Sequence, residues 1–135
     1  MKYFTLEELT KSDTATRRGI DNTPTEEVKK NLTTLVDRVL DPLRIAWGAP
    51  IVVNSGYRSP ALNEVVGGSK TSDHMSGRAA DIEAVDRSKM NNARLFALIQ
   101  SLGLPFDQLI DESGMSWVHV SYRSETENRK QILKL

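Results

Sequence analysis

Two histidines occur in this chain, and each stands where it could ligate a metal. His74 lies in Ser72-Asp73-His74-Met75-Ser76-Gly77-Arg78-Ala79-Ala80-Asp81-Ile82, seven positions before Asp81, and His119 lies in Trp117-Val118-His119-Val120-Ser121. Two neutral imidazoles and one carboxylate make a three-ligand zinc site that leaves the fourth position open to water. The chain has no cysteine to favour a softer metal, and magnesium or calcium would ask for more oxygens. By itself the His-x6-Asp spacing also fits two surface polar residues.

The elements that must position these groups are readable around them. His74 follows the polar stretch Ser69 to Asp73, and Ser69 to Ser76 reads as a loop. Asp81 opens the apolar-leaning run Ile82 to Val85, which reads as a strand. Gly77 permits a turn between them, so a loop histidine can fold back onto a carboxylate at the strand start. In Trp117 to Tyr122 the period of two puts Val118 and Val120 on one face, with Trp117, His119 and Ser121 on the other. Burying the valines turns His119 to the open side.

Three ordered blocks then carry a resemblance. They are Ser55-Gly56-Tyr57-Arg58-Ser59, then Ser72-Asp73-His74 with Gly77, Ala79 and Asp81, then Trp117-Val118-His119. Together they closely resemble the zinc D-alanyl-D-alanine carboxypeptidase family of peptidoglycan peptidases, whose fold is shared by the hedgehog signalling domain. The opening Tyr3-Phe4-Thr5-Leu6-Glu7-Glu8-Leu9 is similar to its small bacterial and phage branch. The resemblance implies one zinc ion on His74, Asp81 and His119, and hydrolysis of stem peptides by a zinc-activated water. It leaves open a carboxypeptidase removing terminal D-alanine or an endopeptidase cutting between L-alanine and D-glutamate. It carries Arg58 and Ser72 over as substrate contacts, although Arg58 taken alone also reads as a solvated surface charge.

One position departs from the pattern. Many relatives hold an acidic residue three positions before the last histidine, where this chain has Ser116. Glu112 is the expected replacement as general base and, with Arg58, the expected catalytic residue. Suppose the strands around Ser113-Gly114 pair with Glu112 opposite Trp117; Asp111 then faces Val118, and Ile110 faces His119. Directly paired residues share a sheet face, so Glu112 falls on the His119 side. A slip of one residue would exchange the two acids. If neither serves, the alternative is a non-catalytic zinc-stabilised module of the same fold that binds cell wall or peptide.

At 135 residues the chain reads as one domain, 1–135, with a core of its own. Eighteen basic and eighteen acidic residues cancel, so bulk charge favours neither nucleic acid nor an anionic membrane, and a monomer is expected. No stretch approaches the ~20 apolar residues of a membrane span. Met1 to Thr5 lacks the apolar region of a secretory signal. Cytoplasmic synthesis with action on the wall is therefore expected, by phage-lysin-like export or from a longer chain.

The expected fold is α+β: a small antiparallel sheet with helices on one face and the zinc cleft on the other. Thr5 and Glu8 form a capping box for a helix from Leu6 to about Lys11, and Ser12 to Asn22 reads as a surface loop. Thr23, Pro24 and Glu26 signal the main helix, whose stripe runs from Val28 through Leu43 until Pro42 kinks or ends it. Ile51 to Val53 reads as a strand, Pro60 to Val66 as a short helix closed by Gly67-Gly68, and Phe106 to Ile110 as another strand. Ser88 caps a helix ending at Gly103, with Met90, Leu95, Phe96, Ile99 and Leu102 on its apolar side. Gln131 to Leu135 adds a terminal strand.

Overall fold

The stripe Val28, Leu32, Leu35, Val36, Val39, Leu40 and Leu43 is buried along its whole length, and it seats the main helix on a sheet. The computed structural model describes residues 1–135. In chain order they form α1 (Leu6–Thr10), α2 (Asp13–Arg18), α3 (Glu26–Leu35), a π turn (Val36–Leu40), α4 (Asp41–Trp47), β1 (Ile51–Ser55) and α5 (Pro60–Val65). A 3-10 turn (Asp73–Ser76), β2 (Ala79–Ala84), α6 (Lys89–Ser101), β3 (Gln108–Glu112), β4 (Trp117–Ser121) and β5 (Gln131–Lys134) follow.

The sheet has the order β1-β2-β4-β3-β5. The fold is α+β as expected, with one change: β5 joins β3 in parallel, whereas every other pair is antiparallel. Alternation divides the two faces. Ala80, Ile82, Ala84, Leu109, Val118 and Val120 enter a cluster of 22 buried residues shared with α3, the π turn, α4 and α6. Asp81, His119 and Ile110 pair side by side across β2, β4 and β3 on the opposite face.

Local chemistry moved several boundaries. The stretch expected as loop from Ser12 contains α2, because the Ser12 hydroxyl accepts the Ala15 N–H and Gly19 takes the left-handed conformation at its end. Only Ala15 of that helix is buried, so it carries no apolar period to read. The main helix starts at Glu26, capped by Thr25 through the Val28 N–H, while the Asp21 carboxylate takes the Thr23 N–H in a preceding turn. Pro42 does not end it. The Asp41 N–H reaches back to the Val36 carbonyl in one widened turn, and the missing proline N–H is absorbed there. Met90 and Leu102, expected in the core, are exposed, and the buried positions of α6 include Asn92 instead. Asn92 binds the Ala84 N–H, Glu83 and the Met115 carbonyl, tying α6 to the end of β2.

β2 begins at Ala79, so Asp81 is its third residue, not its start; it is hydrogen-bonded into the sheet between Ser55 and His119. The β3–β4 register is the expected one: Glu112 opposite Trp117, Asp111 opposite Val118 and Ile110 opposite His119.

α1 reaches the site through one close approach. The Leu9 carbonyl accepts the Tyr57 N–H at 2.8 Å, and a methyl on Gly56 would run into that same carbonyl. Gly56→Ala should therefore lower stability by roughly 1–3 kcal/mol, the usual cost of overpacking against backbone. A reduced urea midpoint with unchanged slope is expected, and an unaltered midpoint would mean that α1 moves aside freely.

Candidate metal centre

His74 is presented by a turn built for the purpose. The Ser72 hydroxyl accepts the His74 N–H at 3.2 Å and caps the 3-10 turn, and Gly77 closes it at φ +73°. A side chain on Gly77 would meet the Val28 carbonyl of α3, so the turn rests on the main helix without a gap. The β1 exit grips the other side: the Arg58 N–H donates to the His74 carbonyl, and Gly56 places its own carbonyl 2.6 Å from His74 Nδ1.

That last contact sets the chemistry of the ring. A carbonyl only accepts, so Nδ1 carries the proton and Nε2 of the neutral ring presents a lone pair. Nε2 lies 3.3 Å from Asp81 Oδ1, is buried, and makes no hydrogen bond. Two acceptors therefore face each other at a nitrogen closed to bulk solvent. His119 Nδ1 stands on the other side of the same oxygen, at 2.9 Å. The two rings lie edge to face with centroids 5.2 Å apart. One ligand atom from each of His74, Asp81 and His119 falls within 4.8 Å of the others.

A divalent cation satisfies this set better than a proton, because it can engage both rings and the carboxylate together. The donors are two imidazole nitrogens and one carboxylate oxygen, a borderline set with no thiolate. Burial pushes the Asp81 carboxyl up, but the two imidazoles beside it, with His119 Nδ1 hydrogen-bonded to it, outweigh that and hold the group well below the usual carboxylate range. Asp81 is thus ionised and ready to bind a metal.

A cleft of about 590 Å³ opens over the three groups. It adjoins a second hollow of about 620 Å³, and the two share Arg58, Val66, Asp81 and Trp117, so a groove passes the site on both sides. Arg58 lines both parts. Its Nε is buried without a partner, and burial lowers its pKa while the nearby Asp81 charge raises it. A side chain on Gly68 would displace the ends of the Asn63 and Arg58 side chains. Ser72 also lines the cleft; its oxygen is occupied by the cap, and its proton remains available.

Glu112 and Asp111 part as their faces require. Glu112 lines the cleft, and burial pushes its pKa up ahead of the opposing effect of His119. Asp111 is buried beneath the turn and accepts the Met115 N–H at 2.6 Å, a bracing role. Ser116 bonds the Ser113 carbonyl within that turn. Sequence reasoning missed the Gly56 carbonyl, which has no side chain to announce it. It also missed Asp107, Arg123 and Arg129 beside the cleft, which lie at strand ends or in a polar stretch without period.

Two comparisons bear on this geometry. A segment of 46 residues, 33% of this chain, is 50% identical to the zinc D-Ala-D-Ala carboxypeptidase of Streptomyces albus G. It spans 18% of that protein's length. The family described as peptidase M15 matches residues 2–121, which take in α1, all three cleft-facing blocks and the sheet up to β4. The chain belongs to the peptidase M15 family.

Proposed function

We propose that this protein is a zinc metallopeptidase that hydrolyses peptide bonds of peptidoglycan stem peptides. The observation that carries the reading is the unpartnered, buried Nε2 of His74 facing the Asp81 carboxylate beside His119. Family membership supports peptidase chemistry, and the name of the Streptomyces relative supports zinc and a D-alanyl substrate. The groove continues on both sides of the site, which suits a peptide chain extending either way. Removal of a terminal D-alanine and cleavage between L-alanine and D-glutamate both remain within this reading.

His74, Asp81 and His119 hold the metal in this mechanism. The chemistry that zinc supplies in such a site is Lewis acidity, which makes water nucleophilic near neutral pH and polarises a carbonyl. Gly56 keeps His74 in the tautomer with its lone pair inward, as partners of metal-binding histidines commonly do. Arg58 grips a carbonyl or carboxylate of the substrate with a desolvated guanidinium, where a forked pair of hydrogen bonds is strongest. The Ser72 hydroxyl donates a further hydrogen bond to the peptide. Glu112 accepts the proton of the attacking water and passes it to the leaving amine, and burial raises its affinity for that proton.

Metal analysis tests the centre. Zinc close to one per chain is expected in the native protein and its loss in His74→Ala, since three such ligands bind tightly at neutral pH. Equal zinc in both would remove His74 from the site.

The base is tested by an isosteric pair. Glu112→Gln should keep zinc and lose at least ~100-fold in kcat on a stem peptide, the typical worth of a general base. Asp111→Asn should retain turnover. In the native protein activity should rise with pH as Glu112 loses its proton, with the midpoint above the ordinary glutamate range because its pKa is raised. A fully active Glu112→Gln enzyme would exclude the assignment. Zinc binding without hydrolysis of any stem peptide would instead favour a non-catalytic binding module.

A further inference from the structure

One end of the cleft is lined by two arginines that the metal chemistry does not use. Asp107 sits at the start of β3 with its side chain wholly buried. Arg129 engages both its oxygens, Nε at 2.9 Å and Nη2 at 2.8 Å, and adds its own backbone N–H at 3.0 Å. Arg123 places Nε 3.2 Å from the same carboxylate and Nη2 3.5 Å from Asp73, the neighbour of His74. The Asn128 side-chain amide oxygen accepts the Arg123 N–H, folding the 123–129 segment back on itself. Both guanidinium groups line the 590 Å³ cleft that holds His74, Asp81, His119 and Glu112.

One buried carboxylate needs one arginine, and Arg129 already meets it with a forked pair. The second guanidinium bridges Asp107 and Asp73, and it is held in the cleft wall with its side chain 35% exposed. Arg129, 48% exposed, keeps Nη1 uncommitted. Two guanidinium groups oriented by a shared buried acid present donors that are already ordered, so little side-chain entropy remains to be lost on binding an anion. Arg58 lines both parts of the groove, whereas this pair borders only the part that lies over the histidines. We propose that Arg123 and Arg129 form a carboxylate-binding subsite at one end of the metal cleft, which takes an anionic group of the peptide and fixes its register over the site. The proposal rests on the reading of the cleft as a peptide site. A stem peptide offers two such groups, the C-terminal carboxylate and the glutamate carboxylate.

The test is calorimetric binding to the zinc-loaded, full-length Glu112→Gln protein. The probes are the peptide L-Ala-γ-D-Glu-L-Lys-D-Ala-D-Ala, its C-terminal amide, and its form with the glutamate amidated. One amidation should weaken binding at least ~10-fold, as expected for a charge-assisted hydrogen bond lost, and the arm that does so names the carboxylate. In Arg123→Gln that preference should shrink below ~3-fold, with zinc content and unfolding midpoint retained, because Arg129 still neutralises Asp107. The double variant Asp107→Asn/Arg129→Gln removes the buried charge together with one partner, and it should reduce the same preference. Binding indifferent to both amidations, or a preference undiminished in Arg123→Gln, overturns the subsite. Hydrolysis of the unmodified peptide by the native protein is read separately. Carboxylate preference without hydrolysis would sink the peptidase reading and leave the subsite standing; hydrolysis without preference does the reverse.

Discussion

The 2.6 Å contact between the Gly56 carbonyl and His74 Nδ1 is the interaction on which the site depends. It fixes the tautomer, and the tautomer fixes which nitrogen meets Asp81. With the proton on the other nitrogen, His74 could simply hydrogen-bond the carboxylate, and no cation would be called for. As built, two acceptors are held together in a buried place, an arrangement that is costly unless a positive charge joins them. The fold maintains this arrangement from several directions. α1 braces Gly56 from behind, α3 supports the turn at Gly77, and the sheet pins Asp81 and His119 as cross-strand partners.

The same few residues link the His74 ring to the groove. Segment 56–58 gives its first carbonyl to the His74 ring and its last N–H to the His74 backbone, then sends the Arg58 guanidinium into the groove. A shift of this segment would displace the His74 ring and the Arg58 guanidinium together. Asn22 adds to the restraint by bonding the Thr10 and Tyr57 carbonyls and the Ser59 N–H, which ties α1 to the β1 exit. Such support matters because catalytic geometry tolerates errors of only about 0.5 Å. Rigid β-structure under Asp81 and His119, with a braced turn under His74, meets that demand better than three mobile loops would.

Charge in the cleft is arranged by depth. Asp81 and Asp107 are sunk and partnered, the first by imidazoles and the second by arginines, whose hydrogen bonds hold the Asp107 carboxyl below its ordinary range. The guanidinium groups of Arg58, Arg123 and Arg129 stand nearer the opening. The mouth of the cleft therefore presents donors, with the Asp81 and Asp107 carboxylates beneath them. Glu112 is the acid left without a cationic side chain bound to it, and burial raises its proton affinity.

Sequence alone determined what depends on residue type and short period. The buried stripe of α3 and α4, the Val118/Val120 alternation that turns His119 outward and the Ser88 cap were all legible, because each is written within a few neighbouring positions. The β3–β4 register that places Glu112 opposite Trp117 was an assumption at the level of sequence, and it is the one the strands adopt. Tertiary structure decided the rest. Whether Pro42 ends a helix depends on a widened turn before it, and whether Met90 is buried depends on which side of α6 the sheet approaches. Most of all, the lone pair of His74 is directed by a backbone carbonyl 18 positions away. A carbonyl is present in every residue, so nothing in the sequence marks this one; only the folded chain selects it.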